Sequence, residues 1–521
     1  MTIKTTLLTT GLLMTAIEAS DFVKFPLAKG KSVIDTIDVK DVNDNLQFTI
    51  TNEQSYYSVE LTIGSNKQKL TALLDTGSSD LWVLSQDAAG LNACNNYLEQ
   101  NGYLTSSGSA TSGSSTEVSE IQANCNDLGV FTPSSSTSFE KKHSGVPFEI
   151  QYGDGTYAEG YWGSDSLTVN DVNVDGLLFG VATIGNSSNV LGISFEGLES
   201  SDDSESTSSE FTYANLPAIL KNDGLIEKMS YSLFLNSLSA TSGELLFGAV
   251  DSDKYQGNLY TVPLVNIYEG EVENPIEFDV TLQGTGYSGS DGTQVTFNQQ
   301  NFAALFDSGT TLTVLPETLA GYFANQVGAS YDDNSGYYLL ECQTFSESDA
   351  FVFQFGGINF YSPVENYVLS TSDENQCYLG IVPSEDNHVI IGDNTLTSLY
   401  VVYNLEDYEL SIAQANYAGA SSSDISAISD SVPGAQQAPD YSNTAIDSYA
   451  SVTSGGDIFT GSQPTNPFAK RDLMKRDTSN STTLATSTVS STKSTVSSSS
   501  SSNAGSLLSA GVLGLIAALI L

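Results

Sequence analysis

Positive charge is scarce in this sequence. Its 521 residues hold 17 Lys+Arg against 62 Asp+Glu, a formal net charge of −45. Nucleic acid is excluded as a partner, because binding it needs a basic face that neutralises phosphates. The imbalance suits a protein that works in acid, where protonation relieves self-repulsion, or one that attracts basic partners. A plain solvated surface accounts for the same charge.

Histidine and cysteine are also scarce. His143 and His388 are the only histidines, and the cysteines are Cys94, Cys125, Cys342 and Cys377. No His-Glu-x-x-His is present and the cysteine spacings fit no zinc pattern, so no metal site is expected. No Gly-x-Ser-x-Gly is evident, which removes the commonest serine-nucleophile signature. No cofactor is expected. Four cysteines in an exported chain allow three pairings; the local one, Cys94–Cys125 with Cys342–Cys377, closes the shortest loops and is favoured.

Long apolar runs are missing too. Residues 1–19 carry Lys4, an apolar stretch and small residues before Ala19, the pattern of a secretory signal too short to span a bilayer. At the other end, Leu507–Leu521 is apolar and uncharged, and no basic residue follows it. It falls short of the roughly 20 residues of a spanning helix. Small residues precede it, as in a GPI attachment signal, with Asn503 the expected site and 504–521 removed. A membrane-spanning tail is the competing reading; Gly505 and nearby serines are rival attachment sites.

Between these ends the composition divides the chain. Residues 20–45 show no clear periodicity and read as a short pro-segment-like region. From 46 to 417 the chain is β-rich: Tyr57, Val59, Leu61 and Ile63 alternate onto one face. Helices are few. One is expected with Pro316 in its first turn and an apolar stripe through Leu319, Tyr322, Phe323 and Val327, and a short one ending near Gly224. Residues 95–124 and the acidic 196–210 read as loop insertions. Residues 418–503 turn to Ser, Ala, Asp and Gly, then to nearly pure Ser/Thr, and are expected to form an extended stalk unable to bury a core. Asn186 and Asn480 begin glycosylation sequons.

One phrase occurs twice. Leu70–Leu84 reads LTALLDTGSSDLWVL and Phe302–Pro316 reads FAALFDSGTTLTVLP. Each sets a carboxylate after an apolar run, then a hydroxyl, a glycine and a hydroxyl pair. A single copy is an ordinary turn with a capping carboxylate. Two copies allow Asp75 and Asp307 to face each other. Two carboxylates in contact cannot both ionise easily, so they share one proton, and one acts as base while the other acts as acid. A water between them can then add to an amide carbonyl without a covalent intermediate.

These motifs resemble those of the pepsin-like aspartic proteases, for which the shared proton is established chemistry. The resemblance covers about residues 46–417. Ile150–Gly163, IQYGDGTYAEGYWG, is similar to the family's flap, with Tyr152, Gly153 and Asp154 at its tip and Trp82 as hydrogen-bonding neighbour of the tyrosine. Val190–Ile193 and Val389–Asp393 resemble the apolar-apolar-Gly segments threaded beside each catalytic loop. The resemblance implies a mainly β fold of two lobes, 46–232 and 233–417, around a cleft. It implies catalysis by Asp75 and Asp307, with Ser78, Thr310, Gly77 and Gly309 in support. The signal peptide, acidic insertions, stalk and GPI-type tail are most like the fungal yapsins. That implies a monomeric cell-surface or wall endopeptidase acting on polypeptides at acidic pH, with Lys or Arg preferred beside the cut and Asp154 receiving the basic side chain. The Lys-Arg pair that usually ends a yapsin pro-segment is missing before Asp75; Lys470–Arg471 and Lys475–Arg476 lie in the stalk. Two other classes fit parts of the chain: a silent binding protein on the same fold, and a structural wall glycoprotein.

Overall fold

The computed structural model describes residues 22–31, 55–86, 129–169, 172–185, 187–202, 211–333, 335–371, 375–447 and 451–469. The fold is mainly β, in two lobes. Among the described residues its largest sheet has 15 strands and draws on both halves of the chain. At its centre Ser230–Phe234 pairs with Leu399–Asn404 on one side and Ser242–Phe247 on the other. This sheet sews the lobes together, and the expected boundary at 232/233 falls inside one of its strands.

The duplicated phrase is also a duplicated topology. Gln68–Asp75 runs parallel to Val190–Gly192, which lies antiparallel to Leu81–Leu84. Phe302–Phe306 runs parallel to Val389–Ile391, which meets Thr313–Pro316 in the same antiparallel sense. The strands Leu81–Leu84, Phe302–Phe306, Thr313–Pro316 and Val389–Ile391 are buried along their whole length, so the strands flanking each motif are fixed on both faces. Tyr57, Val59, Leu61 and Ile63 are buried on one face, as the alternation requires.

The helix Glu317–Val327 begins one residue after Pro316, which caps it, and ends at Gly328 with φ 79°. That positive φ is the left-handed helix end that glycine accepts without a steric penalty. The helix Leu216–Asn222 is capped by the Asn215 side chain, which accepts from the Ala218 N–H. Cys342 and Cys377 form a disulfide beside the small four-stranded sheet. Cys94 and Cys125 lie outside the described residues, as do Asn186, Asn480, Asn503, the signal segment and the terminal tail.

Two expectations need correction. Residues 20–45 are not without period: Val23–Lys31 is a strand between Ser55–Ile63 and Ser242–Phe247, with Val23, Phe25 and Leu27 buried. Three alternate apolar residues suffice for a strand that borrows both neighbours from elsewhere.

The stalk does not begin at 418. Ile425–Ala427 pairs with Ala249–Asp251, and Ala435–Gln437 adds a parallel strand to Tyr255–Pro263. Ile428, Val432, Ile458 and Phe468 are buried, the last two against Ala350, Val352 and Tyr361. The composition is too polar to build a core, but its few apolar anchors complete an existing one. Each such side chain contributes roughly 1.5–3 kcal/mol on burial. A chain ending at 417 is expected to melt well below one ending at 469, as measured by thermal denaturation of the two secreted proteins. Equal melting temperatures would return 418–469 to the stalk.

Candidate active site

Each motif closes on its own carboxylate. The Asp75 Oδ1 accepts from the Gly77 N–H at 2.8 Å and its Oδ2 from the Ser78 hydroxyl at 2.5 Å. The Asp307 Oδ1 accepts from the Gly309 N–H at 2.8 Å and its Oδ2 from the Thr310 hydroxyl at 2.5 Å. The two turns are alike because their sequences are alike: a carboxylate two residues before a glycine and three before a hydroxyl.

The two loops meet. A Cβ on Gly77 would sit 2.6 Å from Oδ1 of Asp307, and one on Gly309 would sit 2.4 Å from Oδ1 of Asp75. Only glycine leaves room for the opposite carboxylate. Neither aspartate is exposed to solvent.

The residue between Asp and Gly joins the loops. The Thr76 hydroxyl donates to the Phe306 carbonyl at 2.9 Å and accepts from the Ser308 N–H at 2.8 Å. The Ser308 hydroxyl donates to the Leu74 carbonyl at 3.0 Å and accepts from the Thr76 N–H at 3.3 Å. The one signal in the sequence is that both motifs carry a hydroxyl at that place.

The electrostatics follow from burial. Burial raises the Asp75 carboxyl well above the usual carboxylate range, and the Asp307 charge raises it further, against the bonds from Ser78 and Gly77. Burial also raises Asp307, opposed by Thr310 and Gly309. Two buried acids in contact therefore hold one proton between them where separate acids would have lost both. A third acid, Asp393, is likewise held well above its usual range by burial and by the Asp307 charge. It belongs to the Val389–Asp393 segment, but nothing in the pattern of that segment distinguishes it.

The flap is a hairpin in which Pro147–Gln151 pairs with Tyr157–Val169. The Tyr152 N–H donates to the Thr156 carbonyl at 2.8 Å, and Gly155 turns the chain with φ 82°. The Tyr152 hydroxyl accepts from the Trp82 indole N–H at 2.8 Å. Burial and then the Asp75 charge hold that phenol well above its usual range, so it stays protonated. Gly153 and Asp154 stand at the tip. The Asp154 Oδ1 accepts from the Thr156 N–H and hydroxyl, both at 2.7 Å, and so ties the turn.

The ends of the acidic insertion lie under this hairpin. The Asp80 carboxylate accepts from the Tyr213 hydroxyl at 2.6 Å and the Ser200 N–H at 2.8 Å. Phe211 and Tyr213 pack on the cluster that holds Trp82, Phe148, Tyr152 and Trp162. Burial pushes the neighbouring Glu199 up to about 9. Asp80, Glu199 and Tyr213 carry no motif that marks them in the sequence. Residues 203–210 of the insertion lie outside the described residues.

Comparison with known proteins agrees with this geometry. The eukaryotic aspartyl protease family matches residues 56–415. Aspartic proteinase 3 of Saccharomyces cerevisiae is 40% identical over 484 residues, covering 85% of this chain and 83% of the relative. Aspartic proteinase yapsin-3 of the same yeast is 41% identical over 445 residues, covering 84% and 81%. The crystal structure of an aspartic proteinase from Irpex lacteus shares the fold at a TM-score of 0.53 and 19% identity, covering 77% of this chain and 99% of that one. With matched carboxylate turns, a flap and relatives of this identity over most of its length, the chain belongs to the pepsin-like aspartic proteases, is similar to yeast members that include yapsin-3, and is an aspartic-type endopeptidase.

Proposed function

We propose that Asp75 and Asp307 are the catalytic pair. The observation that carries this reading is that each motif's glycine lies against the other motif's carboxylate. The ionised carboxylate takes a proton from a water held between the two as its oxygen bonds to the scissile carbonyl carbon. The protonated carboxyl gives its proton to the carbonyl oxygen. As the resulting diol collapses and the C–N bond breaks, the carboxyl that took the water proton gives it to the nitrogen and one diol hydroxyl gives its proton to the other carboxylate, which restores the starting pair. Ser78 and Thr310 fix the outer oxygens, Oδ2, Gly77 and Gly309 fix the facing oxygens, Oδ1, and Tyr152, held by Trp82, closes over the bound peptide.

This chemistry needs the pair singly protonated, which points to an acidic working range. The activity falls as pH rises through the pair's upper titration, because the acid partner is then lost, and falls again in strong acid, when the base partner is protonated. Asp75→Asn and Asp307→Asn are each expected to lower kcat by about 10³-fold or more, on the order of the loss of an acid–base group, with little change in melting temperature. Substantial hydrolysis at about pH 4 by either purified variant, or activity that rises through neutrality, would sink the assignment.

Residues 1–19 direct export, 20–45 serve as pro-segment, and Asn503 receives a GPI lipid that tethers a monomeric enzyme to the plasma membrane or wall. Secreted and wall polypeptides are its substrates. The run of small residues followed by an uncharged apolar end supports the anchor. A GPI-specific phospholipase is expected to release the protein from membranes. Resistance to it, with an exposed cytoplasmic terminus, favours a spanning tail.

A preference for Lys or Arg beside the cut follows from acid near the flap. Asp154 is at its tip, and the insertion that begins at Glu196 is anchored beneath it. The bonds from Thr156 give Asp154 a structural duty as well, so the test must separate the two. Asp154→Thr is expected to reduce kcat/KM on Lys-containing peptides by about tenfold, the value of one exposed-to-half-buried charge contact, and much less on Leu- or Phe-containing ones. Equal losses on both would leave Asp154 as a turn residue only.

A further inference from the structure

The segment after residue 417 encloses a space that the protease chemistry does not use. A cavity of about 430 Å³ lies between residues 459–469 and the turn Ser288–Gln294, within the size range of small-molecule sites. None of its lining residues belongs to the two motifs or to the flap, and none is charged. Acids stand beside this uncharged lining: Asp291 is in the same turn, and the Asp349 carboxylate accepts from the Ser290 N–H at 2.8 Å and the Tyr287 hydroxyl at 3.0 Å.

That wall is built from hydroxyls, amides and two aromatic rings. Its frame is fixed: the Tyr361 hydroxyl donates to the Pro464 carbonyl at 2.9 Å, and the Gln463 amide both donates to the Gly357 carbonyl and accepts from the Asn359 N–H. Other polar groups are free to serve a guest. Among the described residues, the side chains of Ser290, Gln294 and Thr465 engage no protein partner. Phe459 is half-buried and lines the same space.

The chemistry discriminates between guests. A phosphate or carboxylate would meet no cationic side chain among the lining residues and would have Asp291 and Asp349 nearby. A lipid chain would cover hydroxyls and amides and leave their hydrogen bonds unmade. A neutral ligand dense in hydroxyls satisfies both conditions: amides and hydroxyls each donate and accept, as vicinal sugar hydroxyls require, and an aromatic ring offers an apolar face to sugar C–H groups. We propose that this cavity binds an uncharged oligosaccharide, so that the C-terminal segment carries a glycan site separate from the peptide cleft.

The test is titration calorimetry of the full-length protein with three uncharged probes, laminaritetraose, mannotetraose and chitotetraose. One of them is expected to bind, and its identity names the sugar. Phe459→Ala and Gln294→Ala are each expected to weaken that binding about tenfold while peptide hydrolysis stays at the wild-type rate. Gln294 is exposed, so its variant keeps the test valid if the Phe459 variant folds poorly. No binding of any probe at about 10 mM, binding untouched by both variants, or tighter binding of an acidic oligosaccharide than of all three would overturn the proposal.

Discussion

The structure is organised around two carboxylates that burial has forced into contact. Each is held at both oxygens by its own turn, Oδ1 through Gly77 or Gly309 and Oδ2 through Ser78 or Thr310. Each meets the other on the inner side, where the glycines leave just enough room. The lobes cannot shift relative to each other without separating these groups, and the crossed bonds of Thr76 and Ser308 oppose that shift. Those bonds run to Leu74 and Phe306, the residues just before the two aspartates. The rigidity of both cores is thereby delivered to the carboxylates. The sewn sheet, parallel threads and buried strands all serve one short distance.

The residues with diagnostic chemistry are legible in the amino-acid sequence itself. A carboxylate repeated in the same phrase, a Tyr–Gly–Asp–Gly hairpin and a tryptophan after the first motif are hard to produce for packing alone. Residues that act through backbone geometry are less visible. Thr76 and Ser308 look like ordinary turn hydroxyls until the loops are brought together. Val23–Lys31 escapes a search for periodicity because a strand with two borrowed neighbours needs only a short alternation. Residues 418–469 mislead for a related reason: composition measures whether a segment can form its own core, and Ile458 and Phe468 instead complete one built by other strands. Asp80 and Tyr213 cannot be paired from sequence, since an insertion separates them and their contact depends on the cluster under the flap.

A second buried acid network makes part of the stability depend on pH. The Tyr268 hydroxyl donates to Glu277 Oε1 at 2.9 Å, and His388 Nε2 lies 2.6 Å from Asp279 Oδ1. Burial, then the Asp279 charge, pushes Glu277 up to about 8. Burial works against the His388 charge, but Asp279 outweighs it and carries the imidazole up to about 9. Both groups bind protons in the folded state that the unfolded chain has already released, so linkage makes stability fall as pH rises. The glutamate's contribution declines from about 4.5 toward 8 and the histidine's from about 6.5 toward 9. Through these two groups the fold gains stability below neutrality.

The strand Val23–Lys31 adds something of a different kind. It is held by six residue pairings to Ser242–Phe247 and five to Ser55–Ile63, with Phe25 packed edge-on against Phe247. None of those attachments depends on the covalent link through residues 32–54. Cutting that link and losing the strand are therefore distinct events with distinct barriers. Once cut, the molecule is a complex of two polypeptides whose smaller member lends a nine-residue strand to a host sheet. Its departure then becomes a matter of dissociation, governed by concentration and by competition from any other segment able to occupy the same groove.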